Sequence, residues 1–169
     1  FPQLTIYELP NESARLGIGD ARFCIQLLAD LVCPIGMLGN NDRNKYCFVL
    51  DDSTRKFIGL TLADDPNPAF EKEKTGKMQW SEVSLGQSLM YLQSPRFVDR
   101  GKFAGIGFHR KGFGSIKGAY ARAHIYSALL LNISWLTERH LYFRRDLWLW
   151  EDLDFNRRVT AQGGVLCKC

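Results

Sequence analysis

Residues Tyr46–Ser53 read YCFVLDDS: a short apolar run that stops at two adjacent carboxylates. The run has no alternation of apolar and polar residues, which suits a strand covered on both faces, as in a parallel sheet. Upstream, Phe23, Leu27, Leu28, Leu31 and Val32 recur at helical spacing, so residues 21–32 read as a helix with one buried apolar stripe and Asp20 as its N-cap. FPQLTIYEL, residues 1–9, alternates around Leu4, Ile6 and Leu9 and reads as a strand. Strand, helix, strand is the right-handed βαβ unit of an α/β fold, so a mostly parallel mixed sheet flanked by helices is expected.

Downstream the pattern loosens. FIGLTL, residues 57–62, reads as a strand, and ADDPNPAFEKEKTGK as a polar loop. Ser81 is placed to cap a helix whose stripe is Val83, Leu85, Leu89 and Leu92. A short strand from Phe103 precedes the glycine-rich basic loop HRKGFGSIKG, residues 109–118. AHIYSALLLNISWL reads as a long central strand and LYFRRDLWLW as a further extended segment. A last helix spans about Glu151 to Ala161 and stops at Gly163-Gly164. Asn132, inside the apolar run, requires a buried partner. His124 and His140 read as core histidines, and at least one of Trp148 and Trp150 as packed inside.

The 169 residues fit a single domain, 1–169, with enough chain to bury a core. Hydrophobic residues make up 46% and charged residues 24%, which is a globular composition and not a disordered one. No run of about 18 apolar residues exists, so no membrane association is expected. The net charge of +4 permits an anionic partner without arguing for nucleic acid. Five irregularly spaced cysteines, with no C-x-x-C pair, make a poor disulfide framework or zinc site and point to an intracellular, reduced protein. The chain reads as cut at both ends.

In an open α/β sheet, ligands bind beyond the carboxyl ends of strands, where Asp51 and Asp52 stand. Two adjacent like charges repel, and a divalent cation relieves them; hard oxygen ligands suit Mg2+ or Mn2+, which commonly bridge to phosphates. A plainer reading has Asp51 or Asp52 capping the next turn. A second acidic pair, Glu151 and Asp152, opens the last helix in WLWEDLDFNRR. Acidic residues suit the helix dipole there, but beside Trp148 and Trp150 a carboxylate is desolvated and becomes a better general base. Arg157 and Arg158 are spaced to pair with Asp154.

GIGDARFCIQLLAD, FVLDDS and WEDLDFNRR, in that order and spacing, resemble the three-part signature of GT-A nucleotide-sugar glycosyltransferases. More narrowly they resemble the TET-associated glycosyltransferase family. That family includes phage enzymes, base-J glucosyltransferases of kinetoplastids and a C-terminal domain in the animal "growth regulation by estrogen in breast cancer" branch; the animal branch is the better match.

The resemblance implies a GT-A-like fold and metal-dependent transfer from a UDP-sugar donor, with Mn2+ or Mg2+. The implied acceptor is a hydroxymethylated DNA base or a protein Ser/Thr. It implies Asp52 as metal ligand, Asp51 as an indirect metal or ribose contact, and Asp152 as the catalytic base with Glu151 as alternative. Gly17, Gly19 and Arg22 would contact the nucleotide; a plain turn and a solvent-facing arginine are the competing readings. His109 and Arg110 sit in a loop able to close over a diphosphate, to meet nucleic acid, or to stand as an exposed hairpin.

The animal branch implies a nuclear location and chromatin or nuclear-receptor partners. The sequence departs from the family in its D-D metal motif, in Phe23 where many relatives carry Asn, and in lacking an upstream first strand and a C-terminal metal-binding His. Two rivals follow: a catalytically degenerate interaction module, and a metal-dependent phosphotransferase or nuclease using the same acids.

Overall fold

The computed structural model describes residues 16–35, 43–51, 54, 56–62, 65–68, 78–92, 103–108, 121–126 and 128–168. In chain order its elements are α1 (Ile18–Val32), β1 (Tyr46–Leu50), β2 (Phe57–Leu62), β3 (Asp65–Pro68), β4 (Met78–Val83), α2 (Leu85–Leu92), β5 (Phe103–Gly107), β6 (Ala121–Arg122), β7 (Ala128–Asn132), α3 (Ile133–Thr137), α4 (Glu151–Ala161) and β8 (Val165–Lys168). The protein is thus mixed α/β. Among the described residues no helix is long and apolar enough to cross a membrane.

The main sheet has the order β1-β7-β5-β8-β6. β1 pairs antiparallel with β7, placing Phe48 opposite Leu130. β7 pairs antiparallel with β5, and β6 with β8; among the described residues only β5 and β8 are parallel. The sheet is therefore mixed and not mostly parallel. Continuous apolarity reports two covered faces, not strand direction. In β7, Leu129 and Leu131 enter the main core with Phe143, Phe155 and Val159. Leu130 turns to the other face with Tyr46 and Ile106. The first strand of the expected βαβ unit, residues 1–9, lies outside the described residues.

The central strand is shorter than expected, because Asn132 ends it. Its side-chain oxygen accepts the Trp135 backbone N–H at 3.0 Å and caps α3, so the apolar run turns from strand to helix inside NISWL. Residues 138–150 form turns and irregular backbone in place of the expected extended segment. Leu141 and Phe143 anchor that stretch in the core, while Trp148 and Trp150 are 63% and 72% exposed. His124 and His140 also lie on the surface, so neither is a core histidine.

Helix α1 turns only part of its apolar stripe to the core: Phe23 packs there, and polar and small residues fill the rest of the buried face. Gly19, Asp20, Arg22, Gln26 and Ala29 are buried, whereas Leu27 and Val32 are exposed and Leu31 is 82% exposed. The polar side chains go inward because each finds a partner there. Gln26 donates to the Leu141 carbonyl at 2.6 Å and accepts from the Phe143 N–H at 3.2 Å. Asp20 does not cap the helix, whose N-cap is Gly17; it sits in the first turn and accepts from Arg145 Nε at 2.5 Å.

A second sheet, β3-β2-β4, includes segments read as loop and helix from sequence. Among the described residues β3, with its prolines, pairs only with β2 and so lies on an edge, where missing N–H donors are tolerated. Ser81 belongs to β4, opposite Gly59, and does not cap a helix. The cap of α2 is Ser84, whose hydroxyl accepts the Gln87 N–H while Gln87 Oε1 accepts the Ser84 N–H. This reciprocal box outweighs the Ser81 signal.

Candidate functional site

Arg22, in the second turn of α1, is the point where the three sequence motifs meet. One of its terminal nitrogens lies 2.6 Å from Asp51 Oδ1, immediately after β1. The other lies 2.7 Å from Glu151 Oε1, at the first residue of α4. Arg22 is only 5% exposed, and its guanidinium sits 5.5 Å from the Phe143 ring centroid. Phe143 itself stacks on Phe155 at 4.1 Å, so the arginine rests on a packed aromatic floor. Arg22 is therefore neither solvent-facing nor open to the surface; it balances two carboxylates from elements distant in sequence.

Two glycines bring α1 to this position. A Cβ on Gly17, whose φ is +88°, would meet the Trp148 ring at 3.0 Å. On Gly19 it would meet the Arg144 and Leu147 carbonyl oxygens at 2.3 and 2.5 Å. Close backbone approach is what these glycines permit, and in this structure the group approached is the segment 144–148.

The acidic pair that opens α4 divides into two environments. Glu151 is buried against Arg22; burial raises its pKa, with the Arg22 charge opposing. Asp152 is half-buried, and its Oδ1 accepts the Leu153 N–H at 2.7 Å. Tyr126 stands close enough that, after burial, the Asp152 charge raises its phenol pKa further. Asn156 fixes this neighbourhood. Its Oδ1 accepts the Ile125 N–H at 2.9 Å, and its Nδ2 donates to the Ile125 carbonyl at 3.0 Å and to the Asp152 carbonyl at 2.6 Å. Trp150, just before the pair, adopts a left-handed backbone with φ 63°. Such a conformation is uncommon for a bulky residue.

The sequence pointed to Arg22, Asp51, Glu151 and Asp152, and the structure gathers them. Gly17 and Gly19 lie beside them, but turned to the 144–148 backbone. Asp52, His109 and Arg110 lie outside the described residues. Tyr126 and Asn156 were missed, since a lone tyrosine and one helical asparagine carry no spacing signal. Asp154 pairs with Arg158 at 2.7 Å, as their i, i+4 spacing indicated.

Among the described residues, no group of three or more His, Cys, Asp or Glu is arranged to hold a metal ion. Mg2+-type ions need fewer protein ligands, commonly one or two carboxylates with phosphate and water completing the shell. Asp51 supplies a hard oxygen of that kind. A shallow depression of about 270 Å³ lies near the other end of α4, lined by Arg122, Ala123, His124, Thr160 and Leu166. It does not include the acidic residues.

Fold and site together describe a mixed α/β domain with an arginine-centred acidic cluster beyond the end of a strand. Over 99% of its length the chain is 26% identical to mouse GREB1-like protein and 24% identical to mouse Protein GREB1. The chain spans 9% of the length of each. No protein-family model and no solved structure matches.

Proposed function

We propose that this chain is a GT-A-like glycosyltransferase domain that moves a sugar from a UDP-sugar to a hydroxyl of a macromolecular acceptor. The observation that supports this reading is the meeting of the α1 start, the β1 end and the α4 start at Arg22. Those are the three segments whose motifs resemble the glycosyltransferase signature. The GREB1 relatives agree with the animal branch of that resemblance, for which a nuclear location and chromatin or nuclear-receptor partners are part of the proposal. A hydroxymethylated DNA base and a protein Ser/Thr are the two acceptors to be tried.

In this reading Asp152 accepts the proton of the acceptor hydroxyl at a carboxylate oxygen, and Tyr126 borders it. Glu151 is held on Arg22 as a counter-charge, which leaves it less suited to move a proton. Asp51, with Asp52, would hold Mn2+ or Mg2+, which when bound neutralises charge on the leaving diphosphate. Arg22 keeps Asp51 and Glu151 in a fixed relation across the site.

The alternative is an interaction module that has kept the fold and lost the chemistry. It is favoured by the Arg22 contacts, which already satisfy part of Asp51 and Glu151, and by the exposure of Trp148, Leu149 and Trp150.

Calorimetric titration of UDP and UDP-sugars, with and without Mn2+, decides between them. Metal-dependent binding that Asp52→Asn abolishes supports the enzyme. Loss of transfer with retained donor binding in Asp152→Asn then identifies the base. A folded chain that binds no nucleotide under either condition sinks the enzymatic reading and leaves the module.

A further inference from the structure

No role proposed above uses Cys33 or Cys47. Cys33 is the C-cap of α1, with extended backbone at φ −69° and ψ 131°. Cys47 is the second residue of β1. Between them, Ile35 and Lys45 form an antiparallel bridge. The bridge is isolated, with Cys33 two residues before Ile35 and Cys47 two residues after Lys45, so it brings the segments bearing the two cysteines together. A disulfide spans Cα atoms about 4.4–6.8 Å apart, so a link between them requires the two segments to stay close beyond the bridge. The two thiols are near enough that each shifts the ionisation of the other.

The frame around the pair is built. Lys45 donates its backbone N–H to Ser134 Oγ at 2.9 Å, and its carbonyl accepts the Ile133 N–H at 2.8 Å. Lys45 Nζ reaches the Asp30 carbonyl at the end of α1. Both cysteines pack against the main core and are half-buried.

We propose that Cys33 and Cys47 are a latent disulfide, a modification site at which a small-molecule disulfide links the exit of α1 covalently to β1. The step is thiol–disulfide exchange. The Cys33 thiolate attacks one sulfur of the small disulfide, forming a mixed disulfide and expelling one thiolate. The Cys47 thiolate then attacks the Cys33 sulfur and expels the second. The two cysteines are oxidised, the small disulfide is reduced, and the two protein protons leave on the two small thiols. Cys33 is the entry point. Burial raises both thiols; with the neighbouring Cys33 it pushes Cys47 up to about 12, whereas the neighbouring Cys47 and the Lys45 charge partly oppose the rise at Cys33. Lys45 and Asp30 are the charged side chains described beside the pair. The link would tie the helix bearing Arg22 to the strand leading to Asp51.

The test exposes the folded chain to oxidised glutathione at graded ratios to reduced glutathione, followed by intact-mass measurement and non-reducing peptide mapping. The expected result is loss of two hydrogens, a Cys33–Cys47 cross-linked peptide and a raised Tm that dithiothreitol reverses. Cys47→Ser is expected to stop at a stable glutathione adduct on Cys33, and Cys33→Ser to take up no glutathione at Cys47. A persistent adduct on Cys33 with Cys47 intact overturns the proposal. So does a cross-link that joins either residue to Cys24, Cys167 or Cys169 instead. Both variants keep a small side chain at a half-buried site, and their far-UV circular dichroism checks that they fold.

Discussion

Arg22 faces two carboxylates, Asp51 and Glu151, and its removal has a definite sign. Arg22→Met leaves the Asp51 and Glu151 carboxylates without their shared counter-charge. Breaking a buried pair from one side costs roughly 3–5 kcal/mol. A loss of that order in urea unfolding is expected, with Arg22→Lys recovering part of it; an unchanged midpoint in Arg22→Met contradicts the geometry. Gly19→Ala makes a separate test, since its Cβ meets two backbone carbonyls that cannot rotate away. Overpacking of this kind costs about 1–3 kcal/mol, read from the same denaturation curves.

Glu151 supplies the pH dependence at this scale. Burial raises its folded pKa above the ordinary 4.5. The folded chain therefore holds this proton more tightly than the unfolded chain. Its contribution to stability is greatest below 4.5 and falls as pH rises through the raised folded value. Stability measured across that window is expected to lose this decline in Glu151→Gln, and an identical slope in both proteins contradicts it.

At the scale of elements, Asn156 joins α4 to the segment 123–126. It is buried and makes hydrogen bonds to both sides of the Ile125 peptide and to the Asp152 carbonyl. Asn156→Ala strands buried partners at about 1–3 kcal/mol for each group left unsatisfied. It should also loosen Tyr126 from Asp152, so the Tyr126 titration shifts towards its ordinary value, measurable by NMR of the ring. Ser84→Ala removes one half of the α2 cap and is expected to cost about 1 kcal/mol, without touching the acidic site.

The elements also show what a sequence carries. β1, β2 and α4 were legible to the residue, because local cues agree there: an apolar run bounded by carboxylates, a short β-rich run, and acids before and glycines after a helical stretch. The facing of α1 was not legible. Periodicity assigned its leucines to the core, but Arg22, Gln26 and Asp20 are drawn inward by partners distant in sequence, Glu151, Phe143 and Arg145 among them. Long-range polar pairing leaves no trace in a local pattern. The candidate site was visible as acidic motifs; that Arg22 would join them could be known only once α1 was turned inward.

Across the whole molecule, strand direction was the main thing hidden. Among the described residues, three of the four pairings in the main sheet are antiparallel, and apolar runs look alike in either direction. The order β1-β7-β5-β8-β6 also carries a consequence for synthesis. β8 is the last described strand in the chain, yet it occupies an interior place between β5 and β6. A ribosome delivers residues 165–168 after every other strand of this sheet. Until they emerge, β5 has an open edge and β6 has no neighbour described in the sheet. Ribosome-bound chains halted before Val165 should therefore be protease-sensitive, and should gain protection only once those few residues clear the exit tunnel.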